Sequence, residues 1–520
     1  MKRWLKTLGC VLLCAAMLLT AGCSEKEVSP DNRLFTYELS GEPASLDPQV
    51  ATGEAALTVV RALYEGLCRV DSDGRAVPGA ASGWETADNQ TYMFTLRARL
   101  KWSDGSDLTA ADFVYGIRRA LEPKTRAPGA SALFCIAGAE AYYNGEGEWD
   151  DVGVSAPNSR TLIVTLTAPD ESFPAQTAQS VFMPCSESFF KSSGGQYGME
   201  PDAILGNGPF ALRKKSAWVH GEYIRLVRNK EYTGENPARP SGLYLKMPNG
   251  KEPVDPVAAV AAGTVHVAHI SDEEVLRAEQ SGLQVMSFAE SAWGLAFNCA
   301  NGPGAVESIR QALIAAIDRP TLMTYYPEEA ANTVNLIPAA VTWHGRSYRR
   351  QAQNRVPYST DEPCAQLLRA GLAELGRTSP PSLTILCLED GVTRLLVNQL
   401  LTDWRTQLGW YVKVETVADE AALTARVASG DYQVALTGIR AAEDGAAAYL
   451  RQVAAYTGVS APAPDDTIES LREAEDALLR SCVFYPMYAR SSCYALGATV
   501  TDVVIQPFGA GIDFARAGRT

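Results

Sequence analysis

The chain has 520 residues, 46% of them apolar and 20% charged, values that fit globular lobes with real cores and exclude wholesale disorder. Its formal net charge is −14, and the first 22 residues hold Lys2, Arg3 and Lys6 without an acid, so the body that follows is more negative still. A body that acidic repels phosphate backbones and shows no basic stripe, which excludes nucleic acid as a partner and favours cations or mixed-charge solutes.

The N-terminus opens with the basic "MKRWLK" and runs into an apolar stretch ending "VLLCAAMLLTAGC". That run is too short for a comfortable membrane span and reads as an export signal over residues 1–22. Leu19-Thr20-Ala21-Gly22-Cys23 resembles the lipobox of bacterial lipoproteins, with Thr20 where Leu is commonest, and this resemblance implies that Cys23 takes the lipid. Residues 23–33 are polar and aperiodic, a tether whose ten residues after Cys23 span roughly 35 Å at most when extended. No later segment is apolar enough to span a bilayer, so the expected location is the cell envelope: the outer face of the cell membrane or the periplasm, held by lipid alone.

"TYMFTLRARLKW" (91–102) alternates, with Tyr92, Phe94, Leu96, Ala98 and Leu100 on one face, and predicts a half-buried strand. The following "SDGSDLTAAD" places Asp104, Asp107 and Asp112 close together. Asp104-Gly105 is a turn pair. Thr109 and Asp112 have the spacing of a capping box, with Leu108 and Phe113 as its staple. A calcium loop needs a longer ladder of oxygen ligands and a distal Glu at fixed spacing, so the three acids predict architecture, with Asp107 a solvated loop residue. The apolar stripe Phe113, Ile117, Ala120, Leu121 predicts the helix that follows.

The pair "HVAH" (His266, His269) sits in a strand-like alternation that turns the two rings to opposite faces, against a shared metal. Val306, Ile309, Leu313 and Ile317 predict a helix before Pro320. "LTILCLE" (383–389) reads as a buried strand, Leu396, Leu400, Trp404 and Leu408 as a helix closed by Gly409, and "WYVKVETV" as a strand with Val412 and Val414 inward. That β-α-β succession argues for an α/β lobe. Ile468, Leu471, Leu478 and Cys482 mark a last helix. Eight cysteines beyond Cys23 are scattered without C-x-x-C and mostly lie in apolar runs, so they read as buried thiols, with Cys482–Cys493 the one pair to check. There is no G-x-S-x-G, no H-E-x-x-H and no Gly-rich phosphate loop, so nothing points to an enzyme, a cofactor or a metal.

Six blocks in fixed order, "SLDP" (45–48), "LYEGLCRVDSDGRAVPGAASGWE" (63–85), the 92–121 stretch, "GNGPFAL" (206–212), "LAFNCANGPGAVESIRQALIAAIDR" (295–319) and "AEDALLRSCVFYPMY" (474–488), resemble the peptide-class (family 5) solute-binding lipoproteins of ABC importers. The resemblance implies an α/β, two-lobed clamp of the periplasmic-binding-protein type (type II), with an extra subdomain in the first lobe. Carried onto this numbering, the first lobe takes 34–68, 169–287 and 499–520, the inserted subdomain 69–168, and the second lobe 288–498. It further implies a monomer that captures a peptide or small polar solute between the lobes and delivers it to ABC permease subunits.

The resemblance weakens at the ligand. Oligopeptide-binding relatives carry G-W-x-x-D, whose Asp holds the peptide ammonium, whereas this chain has Ile439 at the Trp place and Ala442 at the Asp place. A tyrosine expected near 127–133 is also missing. The resemblance places Thr52, Gly53 and Glu54 at a ligand-facing turn and Trp293 at an aromatic position of the cleft. Arg440, Glu443 and Asp444 offer mixed-charge partners for a cation or zwitterion. A surface lipoprotein that keeps the scaffold with a degenerate site is the alternative.

Overall fold

The computed structural model describes residues 34–71, 75–235, 237–248, 255–327, 330–333, 335–343, 346–353, 360–441, 445–460, 462–465 and 467–519. Strand β1 (Leu34–Glu38) and helix α1 (Gly53–Leu63) come first, with Phe35, Tyr37, Val59, Val60 and Leu63 turned inward. Strands β2 (Ala81–Thr86), β3 (Thr91–Leu96), β4 (Val154–Asn158) and β5 (Thr161–Thr165) then form a separate antiparallel sheet in the order β2-β3-β5-β4. Helix α2 (Ala110–Leu121) packs on that sheet through Phe113, Ile117 and Leu121.

The large sheet is completed by β6 (Phe210–Ala211), β7 (Tyr223–Arg228), β8 (Gly242–Lys246), β9 (Val267–Ile270) and then β10 (Gln284–Phe297). After helix α3 (Glu307–Ala315) come β11 (Thr384–Leu388), α4 (Gly391–Leu408), β12 (Lys413–Val417), α5 (Glu420–Ala428) and β13 (Val434–Arg440). Helices α6 (Ala446–Thr457) and α7 (Ile468–Arg480) precede β14 (Phe484–Leu496). The strand order is β12-β11-β13-β10-β14-β9-β1-β8-β7-β6.

Two long strands join the lobes. β10 and β14 pair antiparallel from Gln284↔Leu496 to Ala296↔Phe484, broken by a bulge between Ala289 and Ser291 and by a second register shift between Trp293 and Gly294. On one side of the bulge β14 pairs with β9, from Val267↔Leu496 to Ile270↔Cys493. On the other, β10 pairs with β13, from Ser291↔Arg440 to Phe297↔Val434. Beyond β13 the ladders with β11 and β12 are parallel, as the β-α-β pattern predicts, and α4 ends on Gly409 in the left-handed region at φ 64°. The second lobe has its own apolar clusters, one around Trp404, Leu400 and Ile385 and one around Tyr449, Leu450 and Ile439.

Two local expectations, at Ala98 and Val414, fail at element edges, while those for the cysteines and the histidine pair hold. β3 stops at Leu96, and Arg99 takes φ 61°, so Ala98 leaves the strand's buried face and is exposed. Val414 is 46% exposed because β12 is the outermost strand of the sheet, beyond the reach of the helices that cover β11. Cys482 precedes β14 and Cys493 lies near its far end. Eleven extended residues separate them by roughly 35 Å, far beyond disulfide reach, and all eight described cysteines are free. His266 is buried with Nδ1 2.8 Å from Thr36 N, whereas His269 is exposed, so the pair shares no ligand.

Candidate functional site

The three close aspartates build structure. Asp104 Oδ1 accepts from Ser106 N at 2.9 Å and Ser106 Oγ at 2.6 Å, and Gly105 supplies the positive φ of 92° in that turn. Asp112 Oδ2 accepts from Thr109 N at 2.7 Å and Thr109 Oγ1 at 3.2 Å, which caps α2, and burial raises its pKa despite those bonds. Asp107 is an exposed partner of Lys101 at 2.6 Å. Among the described residues no group of three or more His, Cys, Asp and Glu could hold a metal ion.

The chemistry gathers where β11 and β12 end. Both strands run parallel, so their carboxyl ends and the amino ends of α4 and α5 open on one side, the usual ligand edge of such sheets. A cavity of about 460 Å³ lies there. Its walls carry Glu389, Asp390, Asp419 and Glu420 from the second lobe, Glu273 from the turn after β9, and Arg490 and Tyr488 from β14. Asp390 caps α4 by accepting from Thr393 N at 2.8 Å, and Asp419 caps α5 by accepting from Ala422 N at 2.8 Å. Glu420 pairs with Arg490 at 2.8 Å. The exposed side chains of Glu389 and Glu273 bond none of the described residues.

Trp293 sits beneath this wall and does not line it. Its ring stacks on Tyr488, with centroids 6.0 Å apart and planes 14° apart, and the Arg490 guanidinium lies 4.8 Å above it. Gly438 is its cross-strand partner, and a Cβ there would stand 2.3 Å from the indole. Only glycine leaves room for the ring. Ile439, the next residue, points to the opposite face and is fully buried.

The other expected residues lie elsewhere. Thr52 and Gly53 are exposed at the start of α1, Thr52 as its N-cap residue without a capping bond. Glu54 accepts the Tyr37 hydroxyl, and burial with the Glu54 charge raises the Tyr37 pKa. Arg440 is held by Glu290, with Nε at 2.8 Å and Nη2 at 2.6 Å, and by Ser492 Oγ at 3.1 Å. Tyr494 is pushed up by burial, by Glu54 and by Glu290, with Arg440 opposing, so Glu54 and Arg440 act on one ring from the two lobes. Ala442, Glu443, Asp444 and Cys23 lie outside the described residues. Sequence reasoning passed over the cavity acids, although "ED" and "DE" directly after two parallel strands were the available signal, and over Glu290, a single acid within the run "FAESAW".

Two α/β lobes hinged on a strand pair, with a cavity at the carboxyl ends of the second lobe's strands, define a clamp-type binding protein. Residues 75–460 match the model of the bacterial extracellular solute-binding proteins, family 5 (middle), and the chain belongs to that family. It is 25% identical over 514 residues to the dipeptide-binding protein DppE of Bacillus subtilis, covering 94% of this chain and 92% of that one. It is 31% identical over 331 residues to the periplasmic murein peptide-binding protein MppA of Escherichia coli, covering 62% of this chain and 60% of that one. In fold it is similar to the substrate-binding domain of an oligopeptide ABC transporter from Bacillus anthracis, with a TM-score of 0.72 at 23% identity over 94% of this chain and 99% of that one.

Proposed function

We propose that the chain is the ligand-capturing component of an ABC importer. It takes a short peptide or related polar solute bearing a cationic group into the interlobe cavity and presents it to permease subunits. The observation that supports this most is the cavity wall, where five carboxylates face one guanidinium that is already paired. A volume of about 460 Å³ suits a small solute or short peptide. Low-dielectric walls of one sign draw the opposite charge. The named relatives, dipeptide- and murein peptide-binding proteins, agree in ligand class. Trp293 acts from below by holding Arg490, and Thr52, Gly53, Glu54, Arg440, Glu443 and Asp444 are secondary ligand contacts in this proposal.

The same proposal has residues 1–22 removed, Cys23 lipidated and 23–33 as the tether. A monomer is then held at the outer face of the membrane, with lobe limits at 34–68, 69–168, 169–287, 288–498 and 499–520. The lipobox-like Leu19-Thr20-Ala21-Gly22-Cys23 supports a lipid anchor, and among the described residues no helix is long and apolar enough to cross a membrane. Cys23→Ala should shift the protein out of the membrane fraction or leave it unprocessed.

Thermal scanning against di- to pentapeptides, free amino acids and polyamines tests the ligand. Ligand at a hundred times its Kd stabilises by about 2.7 kcal/mol, a shift of a few degrees for a chain this long. Hits should favour lysine- and arginine-bearing members over acidic ones. A panel without hits overturns the proposal and favours a surface lipoprotein on the same scaffold, in keeping with Ala442 at the ammonium-anchor place.

A further inference from the structure

At the crossing of β10 and β14 one carboxylate binds both lobes. Glu290 occupies the bulge of β10 and is almost fully buried. Its Oε2 accepts from Arg440 at the end of β13 in the second lobe, and from Ser492 Oγ on β14 at 2.8 Å. Its Oε1 accepts from the main-chain N–H of Phe508 at 2.7 Å. Phe508 belongs to a C-terminal segment docked on α1 in the first lobe, where Arg61 Nε donates to Ala510 O at 2.6 Å and Ile512 N to Thr58 Oγ1 at 3.1 Å. Its ring crosses over and packs against the second-lobe cluster that contains Ala292 and Ile439.

We propose that Glu290 and Phe508 form a latch across the hinge, which fixes the angle between the lobes. Oε2 is tied within the second lobe and Oε1 to the segment docked on the first, so a rotation about the β10–β14 crossing must stretch the Phe508 bond while Arg440 holds the carboxylate in place. A buried acid in an apolar strand is costly unless paired, and of its two pairings the one to the Phe508 N–H depends on the interlobe geometry. Phe508 is held at φ 61°, a left-handed conformation that a bulky residue adopts only when its surroundings impose it. Glu290 also accepts the Ala441 N–H through its main-chain oxygen at 3.0 Å, which fixes the chain at the point where the family's ammonium-anchor turn begins. Glu290 is thus a positioning residue, and the latch operates whatever solute the cleft takes.

The test uses the full chain without ligand, through small-angle X-ray scattering and hydrogen exchange resolved to peptides. Glu290→Ala should raise exchange about tenfold in peptides spanning 504–512, leave exchange in β1, β8 and β11 unchanged, and shift the radius of gyration. Glu290→Gln should keep the Phe508 bond and lose the ion pair, giving a smaller scattering change. Phe508→Gly, which keeps the N–H and tolerates the φ, should reproduce the scattering change while the carboxylate stays buried, and with Glu290→Gln it decides the matter if Glu290→Ala does not fold. Wild-type scattering in folded Glu290→Ala and Phe508→Gly overturns the latch. So does an exchange increase spread evenly through both lobes.

Discussion

Gly438→Ala offers a direct check on how the cleft wall is packed. A glycine inside a strand, once replaced by alanine at a compatible site, normally stabilises by about 0.4–1 kcal/mol through the unfolded chain. Here the added Cβ would meet the Trp293 indole at 2.3 Å, so the ring must move. Overpacking of this kind costs about 1–3 kcal/mol. A displaced indole also loses part of its contacts with Tyr488 and Arg490, about 1–2 kcal/mol together. The net expectation is destabilisation of about 3 kcal/mol, or roughly 3 °C in Tm for a chain whose unfolding entropy is about 1 kcal/mol/K. Thermal unfolding of wild type, Gly438→Ala, Trp293→Ala and the double variant closes the cycle. Trp293→Ala alone should cost about 3–5 kcal/mol, and Gly438→Ala added to it should be neutral or stabilising. Equal cost of Gly438→Ala in both backgrounds would refute the steric argument.

Three further substitutions test the frame around the site. Asp112→Ala should lower stability by about 1–2 kcal/mol through loss of the bonds this third helical residue accepts from Thr109 in the α2 capping box, whereas Asp107→Asn should change it by less than about 0.5 kcal/mol, the usual scale of an exposed pair, with chemical denaturation as the measurement. His266 has its pKa lowered by burial and by Arg519, whose Nη1 lies 2.9 Å from Nε2. Above about pH 6.5 both folded and unfolded states hold the ring neutral. As pH falls through that value the unfolded state takes the proton first, so stability should drop toward the lower folded pKa. The gap in Tm between wild type and His266→Gln should therefore narrow from pH 7.5 to pH 5, and a constant gap would contradict this account.

What the sequence makes legible is local. The Thr109–Asp112 cap and the Gly409 terminus depend on residues within one or two turns, the β11-α4-β12 unit on one continuous segment, and each forms as read. Val414 and Ala98 fail because periodicity says which face a residue takes but not whether anything covers it, or where the strand stops. The cavity is harder to foresee, since its acids come from turns at 273, 389–390 and 419–420 and its cation from 490, brought together only by sheet order. Arg440 shows the same limit. Its neighbours in sequence suggest a ligand contact, yet its partner is Glu290, 150 residues earlier, through a ladder that pairs Ser291 with Arg440.

The five cavity carboxylates differ in what they leave for a ligand. Asp390 and Asp419 spend their oxygens on the amino ends of α4 and α5, whose partial positive charge, about half a unit each, offsets part of theirs. Glu420 is matched by Arg490. The uncompensated charge is therefore that of Glu389 and Glu273, one from each lobe, and a cation in the cavity is attracted by both. Asp390→Ala should lower stability by about 1 kcal/mol, as loss of an N-cap does. Glu389→Gln should leave Tm unchanged and weaken a cationic ligand about tenfold, the scale of one charged hydrogen bond. Calorimetric titration of both variants with the best lysine-bearing peptide, beside their melting curves, separates the two roles. If Glu389→Gln binds that peptide as wild type does, the cation sits elsewhere in the cleft and Glu389 is only a solvated neighbour of the Asp390 cap.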